Sequence, residues 1–301
     1  MSRILVSGLI NLEVTLRVDG FPISYAPVRY PFHGVNSNVS GVGFNVAKAL
    51  ATLGNDVRFV SMVGTDFAGG FAKLALKRAG ISPKYVVEEL PQTPHSVILF
   101  DEEGQRQINV DLKDIQERTY PEEVFERASA GCSLLALCNI NFSRPFLSRA
   151  KKAGKLVATD VHAISNLDDS YNGDFLAAAD ILFISDELLP CSPEEWARKT
   201  VDRFGNEIVV VGLGANGVLL SVKRDRFLER VPAHPAPKTV NTIGAGDALF
   251  SAFIHFYAKS HDPYAAIEKA TIFAAHKIGE TCAADGFLTE TEVNQIHAEG
   301  H

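Results

Sequence analysis

Several features that commonly identify a protein's class are missing from this 301-residue sequence. It has four cysteines, with no Cys-x-x-Cys pair and no histidines near them at metal-ligand spacing. We therefore expect reduced, buried thiols rather than a disulfide framework or a metal cluster. The longest apolar runs are far too short to span a bilayer, and no targeting segment is recognisable. These absences predict a cytoplasmic protein with no membrane partner.

Excess positive charge is also missing. The 29 Lys and Arg residues are outnumbered by 36 Asp and Glu residues, which gives a net charge of −7. A general nucleic-acid binder needs basic residues to face phosphates, so we expect no nucleic-acid partner. No G-x-x-x-x-G-K-[ST] loop and no G-x-S-x-G elbow occur, which excludes P-loop nucleotide sites and the usual serine-hydrolase turn.

The chain does contain a regular alternation of apolar strands and amphipathic helices. Near-continuous apolar runs such as RILVSG, DVRFVSMVG, SLLALCN and EIVVVGL are typical of strands covered on both faces. Segments with helical periodicity, such as VGFNVAKALATLG and SRPFLSRAKKAG, lie between them. The pattern predicts an α/β fold with a doubly wound, mostly parallel sheet and helices on both faces.

Two stretches depart from this alternation and read as extra strands. LEVTLRVDG and APVRYPFHG lie between Glu13 and Val35, and HSVILFDEEGQRQINV reads as a hairpin. We predict a small antiparallel sheet, inserted at about 12–36 and 95–111 of a single domain spanning 1–301. Exposed strands often need covering, so a homodimer formed through this sheet is one expectation.

The strongest chemical motif is VNTIGAGD, residues 240–247, which opens a predicted helix. Small residues let a ligand approach the backbone, and the first helical turn offers unpaired N–H groups that bind anions. A carboxylate there, Asp247, suits a base that takes a proton from a hydroxyl attacking phosphate. The alternative is a plain tight turn in which Asp247 stabilises the helix dipole. The residues alone favour neither interpretation.

Three further motifs carry weaker signals. GVGFNVA at 41–47 opens a helix and could either admit a polyhydroxy substrate beside Asn45 or allow close helix–sheet packing. GLGANG at 212–217 fits the dinucleotide pattern, but a strand follows it, so a turn lining a nucleotide or a plain hairpin is favoured over NAD binding. GLINLE at 8–13 ends the first strand, where ligands of open α/β sheets bind. The histidines His33, His162 and His276 are isolated and read as structural or solvent-facing.

These four motifs, in this order, resemble those of the ribokinase-like (PfkB) carbohydrate and nucleoside kinases across nearly the whole chain. The late D-T-x-G-A-G-D signature matches 241–247 except at its first residue, and the early G-G-x-x-x-N-x-A signature matches 40–47 with Ser40 at its first position. The segment GVGFNVAKALATLGNDVRFVSMVGTDF is most similar to the pseudouridine kinase branch. The resemblance implies a β lid beside the main sheet and Mg²⁺-dependent transfer of the γ-phosphate of ATP to a hydroxyl of a small sugar or nucleoside.

The resemblance also implies a role for individual residues. Asp247 would be the base, and the N–H groups of Gly244, Ala245 and Gly246 would form the anion hole. The nucleotide would lie beside Gly214 and Gly217, with Thr242 near its phosphates. The acceptor would be faced by Asn11, Glu13, Gly41, Gly43 and Asn45. Asn109, on a predicted strand of the lid, is a further candidate acceptor contact that the resemblance does not itself imply.

Three positions depart from the family pattern. Glu13 stands where Asp is usual. The family's N-x-x-E falls on 185–188, with Ser185 in place of Asn and the Glu displaced by one residue. Asp186 or Glu187 could take its place; Glu187 is the candidate metal residue, and Ser185 would lie beside the nucleotide. Asn241 replaces an Asp that helps to bind a monovalent cation in some members, so a K⁺ requirement does not follow. The degenerate N-x-x-E leaves a catalytically weak sugar or nucleoside sensor as the alternative function.

Overall fold

Strands and helices alternate along most of the chain, as the sequence pattern predicts. The computed structural model describes residues 2–103, 105–238, 242–280 and 282–300. The strands are β1 (Arg3–Ser7), β2 (Asn11–Arg17), β3 (Val35–Ser40), β4 (Asp56–Gly64), β5 (Val86–Leu90), β6 (His95–Phe100), β7 (Arg106–Asp111), β8 (Leu134–Leu137), β9 (Leu156–Ala163), β10 (Ile181–Ser185), β11 (Ile208–Gly212), β12 (Val218–Val222) and β13 (Phe227–Val231). The helices are α1 (Val42–Thr52), α2 (Phe67–Arg78), α3 (Glu122–Ser129), α4 (Arg144–Lys152), α5 (Gly173–Ala178), α6 (Pro193–Phe204), α7 (Ala245–Ser260), α8 (Pro263–Lys277) and α9 (Glu290–Glu299).

The larger sheet has the order β13-β12-β11-β10-β9-β8-β1-β4-β5. All its pairs are parallel except those of β12 with β11 and with β13. Alternate residues face opposite layers: Ile4 and Val6 join the core that contains α1, α7 and α8, whereas Leu5 joins the core that contains α3, α4 and α6. The predicted doubly wound, mostly parallel sheet with helices on both faces is confirmed.

The smaller sheet, called the lid below, has the order β3-β2-β6-β7. Its two outer pairs are antiparallel, as expected, but the central strands β2 and β6 are parallel. Parallel neighbours need a crossover, and the chain makes one by passing through α1, β4, α2 and β5 between β3 and β6. The pairing therefore joins two distant hairpin-like units rather than one continuous meander.

One predicted strand is misplaced. The segment APVRYPFHG forms no strand, and β3 begins only at Val35 and ends at Ser40. Pro27 and Pro31 have no N–H to donate to a sheet, which explains why pairing starts after them. The shift matters for function because β3 then leads directly into α1 and carries Ser40 to the end of the larger sheet.

Two features that the sequence singles out are the chain's apolar segments and its cysteines. Among the described residues no helix combines the length and the apolar character needed to cross a membrane. No disulfide joins any of the four cysteines. Cys132 and Cys138 are buried as expected, whereas Cys191 and Cys282 are only half-buried.

Candidate active site

The turn before α7 is built around a glycine whose position leaves no room for a side chain. Gly244 is the N-cap of α7 with φ of 77°, in the left-handed region. A Cβ at this position would lie 2.5 Å from the carbonyl oxygen of Ala283. The Ala245 N–H donates to the carbonyl of Thr242 at 3.2 Å, so one of the three predicted anion-hole donors is already engaged within the turn. The positive end of the α7 dipole remains directed out of this turn.

Asp247 lies in the first turn of α7 and is buried, with 9% of its surface exposed. Its Oδ2 accepts a hydrogen bond from Asn45 Nδ2 at 2.7 Å, and its backbone carbonyl accepts one from Ser251 Oγ at 2.6 Å. Burial raises the pKa of Asp247 to about 6, although the Asn45 hydrogen bond and the charges of His162 and Lys277 oppose the rise. A carboxylate with this pKa is ionised at neutral pH and can still take a proton from a hydroxyl.

A line of hydrogen bonds connects Asp247 to the lid. Ser40 Oγ donates to Asn45 Oδ1 at 3.4 Å and lies close to the carboxylate of Glu13, which is 6% exposed. Burial raises the pKa of Glu13, while the Ser40 hydroxyl and the Lys277 charge lower it. Asn45 therefore orients the Asp247 carboxylate, a role beyond the acceptor contact that the sequence predicts for it.

Asn11 stands two residues before Glu13 on the same face of β2. Its Nδ2 donates to Ser96 Oγ at 2.9 Å, which ties β2 to β6. Its buried Oδ1 has no hydrogen-bond partner among the described residues. A buried carbonyl oxygen without a donor is costly, so this atom is suited to a hydroxyl of a bound molecule.

Both glycines of the early motif are required by close packing, and one of them also adjoins the free acceptor atom. Gly41 has φ of 104°, and a Cβ there would lie 2.7 Å from the carbonyl oxygen of Leu9 and 3.1 Å from Asn11 Oδ1, so this glycine also leaves room beside that atom. A Cβ on Gly43 would instead lie 2.5 Å from the backbone of Gly8. Gly43 therefore serves close packing of α1 on the end of β1, the alternative that the sequence left open.

The lid register corrects the prediction for Asn109. Asn109 pairs with Val97, which pairs with Val14, so these three share the face of the lid opposite to Glu13. Its amide donates to the Val97 carbonyl at 3.3 Å. Alternation along a strand places neighbouring residues on opposite faces, so an assignment wrong by one residue reverses the direction of a side chain. The structure does not bring Asn109 to the site.

The residues of β7 that do share the face of Glu13 are Arg106, Ile108 and Val110. Arg106 Nη1 donates to Thr242 Oγ1 at 3.2 Å, across 136 residues of sequence. The lid therefore contacts the residue that begins the turn before α7, beside the predicted phosphate position. Nothing in the local sequence around Arg106 indicates this contact.

The predicted nucleotide residues lie at the carboxyl ends of β10 and β11. Gly214 (φ 56°) belongs to the short turn that joins β11 to β12, and the Leu213 N–H donates to the Gly217 carbonyl at 2.8 Å. A Cβ on Gly217 would lie 2.1 Å from the carbonyl oxygen of Val231, so packing alone requires this glycine. Ser185 Oγ accepts from the N–H of Glu187 at 3.4 Å, and the Glu187 side chain is exposed.

The sequence reading missed three charged neighbours of Asp247. Asp160 and His162 lie at the end of β9, with Asp160 Oδ2 3.9 Å from where a Cβ of Gly246 would be. His162 is solvent-facing as expected, but its charge lowers the pKa of Asp247. Lys277 ends α8 and is fully buried. Asp160 and His162 can be recognised as neighbours of Asp247 only from the order of the strands, because the carboxyl ends of parallel strands meet at one edge of the sheet.

Within the described ranges no group of three or more His, Cys, Asp or Glu side chains is arranged to hold a metal ion. Mg²⁺ often takes only one or two protein carboxylates and completes its shell with water and phosphate oxygens. Asp160 and Glu187 offer such oxygens at the ends of neighbouring strands. The residues present therefore fit a Mg²⁺ ion that arrives with a nucleotide. Asn241, where the monovalent-cation expectation falls, lies outside the described residues.

The fold is shared with known sugar and nucleoside kinases. The chain superposes on a microbiome-derived acarbose kinase with a TM-score of 0.88, covering 99% of both chains at 23% identity. It superposes on the ribokinase of Thermotoga maritima with a TM-score of 0.81, covering 99% of this chain and 100% of that one at 22% identity. The molecule thus has the ribokinase-like fold.

Sequence comparison narrows this class to a family. The model of the pfkB family carbohydrate kinases matches residues 1–290, so the chain belongs to that family. It is 30% identical over 287 residues to an ATP-dependent ribose-1-phosphate kinase of Halopiger xanaduensis, covering 93% of both proteins. It is also 30% identical over 256 residues to the deoxyribokinase of Salmonella typhi, covering 79% of this chain and 80% of that one. The protein is a sugar or nucleoside kinase, a phosphotransferase acting on an alcohol group.

Proposed function

We propose that this kinase transfers the γ-phosphate of ATP to a hydroxyl of a pentose-based sugar or nucleoside, with Asp247 as the base. One observation carries the proposal. A buried carboxylate, ionised at neutral pH and oriented by Asn45, lies in the helical turn whose N–H groups are suited to an anion. A base and an anion site in one turn are what phosphoryl transfer to a hydroxyl requires.

The reaction follows from that placement. The acceptor hydroxyl donates its proton to Asp247 as its oxygen attacks the γ-phosphorus, and the bond from phosphorus to the bridging oxygen of ADP breaks. The N–H groups of the turn, including that of Gly246, stabilise the charge on the phosphoryl oxygens. A positioned base contributes about 10²–10⁴ in rate, and an anion-hole donor roughly 10²–10³.

Acceptor recognition is assigned to the lid face that carries Asn11 and Glu13. Asn11 Oδ1 and the Glu13 carboxylate accept hydrogen bonds from sugar hydroxyls, and Gly41 leaves the space beside them. On the same face Ile108 is 50% and Val110 is 48% exposed, which offers an apolar surface to a sugar ring or a base. The relatives that act on ribose-1-phosphate or, by name, deoxyribose support a pentose core.

The nucleotide side is assigned to the ends of β10 and β11. Thr242, Gly214 and Gly217 are proposed to contact ATP, together with Ser185. Mg²⁺, when bound, neutralises charge on the phosphates, and Glu187 is the proposed protein contribution to holding it. The proposal includes no monovalent cation.

The test is an acceptor panel. The wild-type protein is supplied with ATP and Mg²⁺ and one of ribose, deoxyribose, ribose-1-phosphate, pseudouridine or fructose, and ADP release is coupled to product detection by mass spectrometry. We expect one pentose-based acceptor to exceed the others by a factor of about 10² or more in kcat/KM, because unpaired hydrogen-bonding groups reject a wrong substrate strongly. A hexose as the best acceptor would contradict the proposed substrate class.

The pH dependence of kcat tests the base. The pKa of Asp247 is raised to about 6, so kcat should be constant above pH 7 and should fall tenfold per unit below about pH 6. Thermal shifts with sugars or nucleosides but no turnover with any acceptor would favour the sensor alternative instead.

We also propose a homodimer formed through the lid. Phe67, Phe71 and Leu74 form a stripe on α2 with exposed fractions of 91%, 55% and 43%, and Val97 on the outer lid face is 41% exposed. Monomers rarely leave such an apolar area open, and it adjoins the strands of the lid. Light scattering should give twice the chain mass for wild type and the monomer mass for Phe71→Glu; a monomeric wild type would contradict this proposal.

A further inference from the structure

Lys277 is the most unusual charged residue of the molecule outside the proposed reaction. It ends α8, and none of its surface is exposed to solvent. Its Nζ atom has no hydrogen-bond partner in the part of the chain that the structure describes. A buried ammonium group is costly unless an opposite charge compensates it, so its surroundings must explain it.

The loop after Lys277 joins the two halves of the site. The carbonyl of Ala283 packs against Gly244 in the turn before α7. Cys282 Sγ accepts a hydrogen bond from Asn38 Nδ2 of lid strand β3 at 3.1 Å. The end of α8 therefore lies where the anion turn and the lid meet.

The charges around Lys277 come from several elements. Burial lowers its pKa, whereas Cys282, Asp285, Asp247 and Glu280 raise it. Asp285 already pairs with Lys48 at 2.8 Å, and it is half exposed. The two buried carboxylates that Lys277 attracts are Asp247 on α7 and Glu13 on β2, and its charge lowers the pKa of both. These two are the proposed base and the proposed acceptor contact.

We propose that Lys277 is a resident cation of the active site, a residue whose buried charge compensates the carboxylates of Asp247 and Glu13 while they are out of contact with water. This inference rests on the proposed function. The lysine does not touch substrate. It acts through the two carboxylates, which would otherwise be buried negative charges close to the phosphates of ATP.

The first test replaces the ammonium with an apolar group of similar length, Lys277→Met. The groups that remain near Asp247 are Asn45 on α1 and Asp160 and His162 on β9. Loss of a nearby positive charge raises the pKa of a carboxylate, here by up to about one unit, so the acidic limb of kcat should move upward by that amount. The loss in kcat should then be up to about fivefold greater at pH 6 than at pH 8.5.

Lys269→Met is the matched control. Lys269 lies on the same helix, two turns earlier, and its ammonium stacks on Phe256 rather than facing the site. The substitution changes the net charge equally, so it should leave the pH profile of kcat unchanged. A profile of Lys277→Met that coincides with the wild-type profile would overturn the inference.

A second readout needs no activity. If Lys277 compensates two buried carboxylates, its loss makes their ionisation more costly, and the Tm of Lys277→Met relative to wild type should fall as pH rises from 5.5 to about 7.5. A packing defect alone would change Tm equally across that range, and this result would overturn the inference. A pH-dependent Tm difference in a protein with no turnover on any acceptor would contradict the proposed function while supporting the compensating role of Lys277.

Discussion

The turn before α7 and the outer strand of the lid place their functional residues in opposite environments. The turn before α7 is fixed by packing: Gly244 meets Ala283, and Asp247 is buried and held by Asn45. The lid is open at its outer strand, where every residue of β7 is exposed. The larger sheet therefore holds groups whose geometry is set before any ligand binds. The lid offers groups whose surroundings are completed only when a ligand binds.

This difference predicts a division of labour. Preorganised groups lower the barrier of the chemical step, so changes on the turn should reduce kcat. Groups that meet the ligand from the lid contribute binding in both ground and transition states, so changes there should raise KM. Each variant below either sharpens this division or breaks it.

The largest effect is expected for Asp247→Asn. The amide keeps the size of the carboxylate and can still accept from Asn45, but it cannot take a proton. We expect kcat to fall by about 10³ or more while the Kd for ATP, measured by calorimetry, stays the same. A variant that retains wild-type turnover would break the assignment of the base.

The same variant should be more stable at neutral pH. The folded-state pKa of Asp247 is raised from 3.8 to about 6, so the unfolded chain loses this proton first as pH rises from about 4 to 6. Ionisation therefore lowers the free energy of unfolding through that window, by an amount of order 3 kcal/mol. We expect Asp247→Asn to raise Tm at pH 7.5 and to change it little at pH 4, as measured by calorimetry.

The next effect compares two glycines with positive φ. In Gly244→Ala the new Cβ would lie 2.5 Å from the Ala283 carbonyl, so the turn must shift and carry its N–H groups away from the phosphate. We expect a loss of about 10² in kcat with little change in the KM of the acceptor. Gly80→Ala is the control, because nothing lies within 4 Å of a Cβ there despite φ of 73°. Equal losses in the two variants would show that backbone strain alone, not the turn's position, lowers the rate.

The sequence predicts the larger sheet well because its signal is local. An apolar run in a sheet that is covered on both faces can be recognised as a strand without knowledge of its neighbours. The motif at 240–247 is recognisable for a similar reason, because its residues are adjacent in the sequence. The lid is harder, since its polar strands alternate weakly and a shift of one residue reverses a face. For this reason the sequence predicts an acceptor contact for Asn109, although Arg106 is the residue of β7 whose side chain faces the site. Lys277 carries no local signal, because its position depends on the packing of α8 against α7.

The lid itself offers a matched pair on one strand. Arg106 faces the site and reaches Thr242, whereas Asn109 lies on the opposite face. Arg106→Ala should raise the KM of a phosphorylated acceptor, or that of ATP, by about tenfold and change kcat by less than about threefold, because a charged hydrogen bond is lost from binding. Asn109→Ala should leave both constants unchanged. If Asn109→Ala instead raises the acceptor KM, the lid register in the working enzyme differs from the one described above.

The smallest effect concerns monovalent cations, and it bears on both the turn before α7 and the lid. The loop that follows Lys277 contacts both the turn and the lid, and Lys277 carries a positive charge that belongs to the chain. A soluble cation would add little to the charge that the Lys277 ammonium already supplies. We therefore expect kcat to change by no more than about twofold when K⁺ is replaced by choline at constant ionic strength, and we attribute a change of that size to screening. A tenfold loss in choline would show that the turn needs an external ion as well, and the larger sheet would then not present a fully preorganised site. The assay should therefore be run on wild type and Lys277→Met in parallel, because a K⁺ dependence that appears only in the variant identifies the ammonium as the charge that the ion replaces.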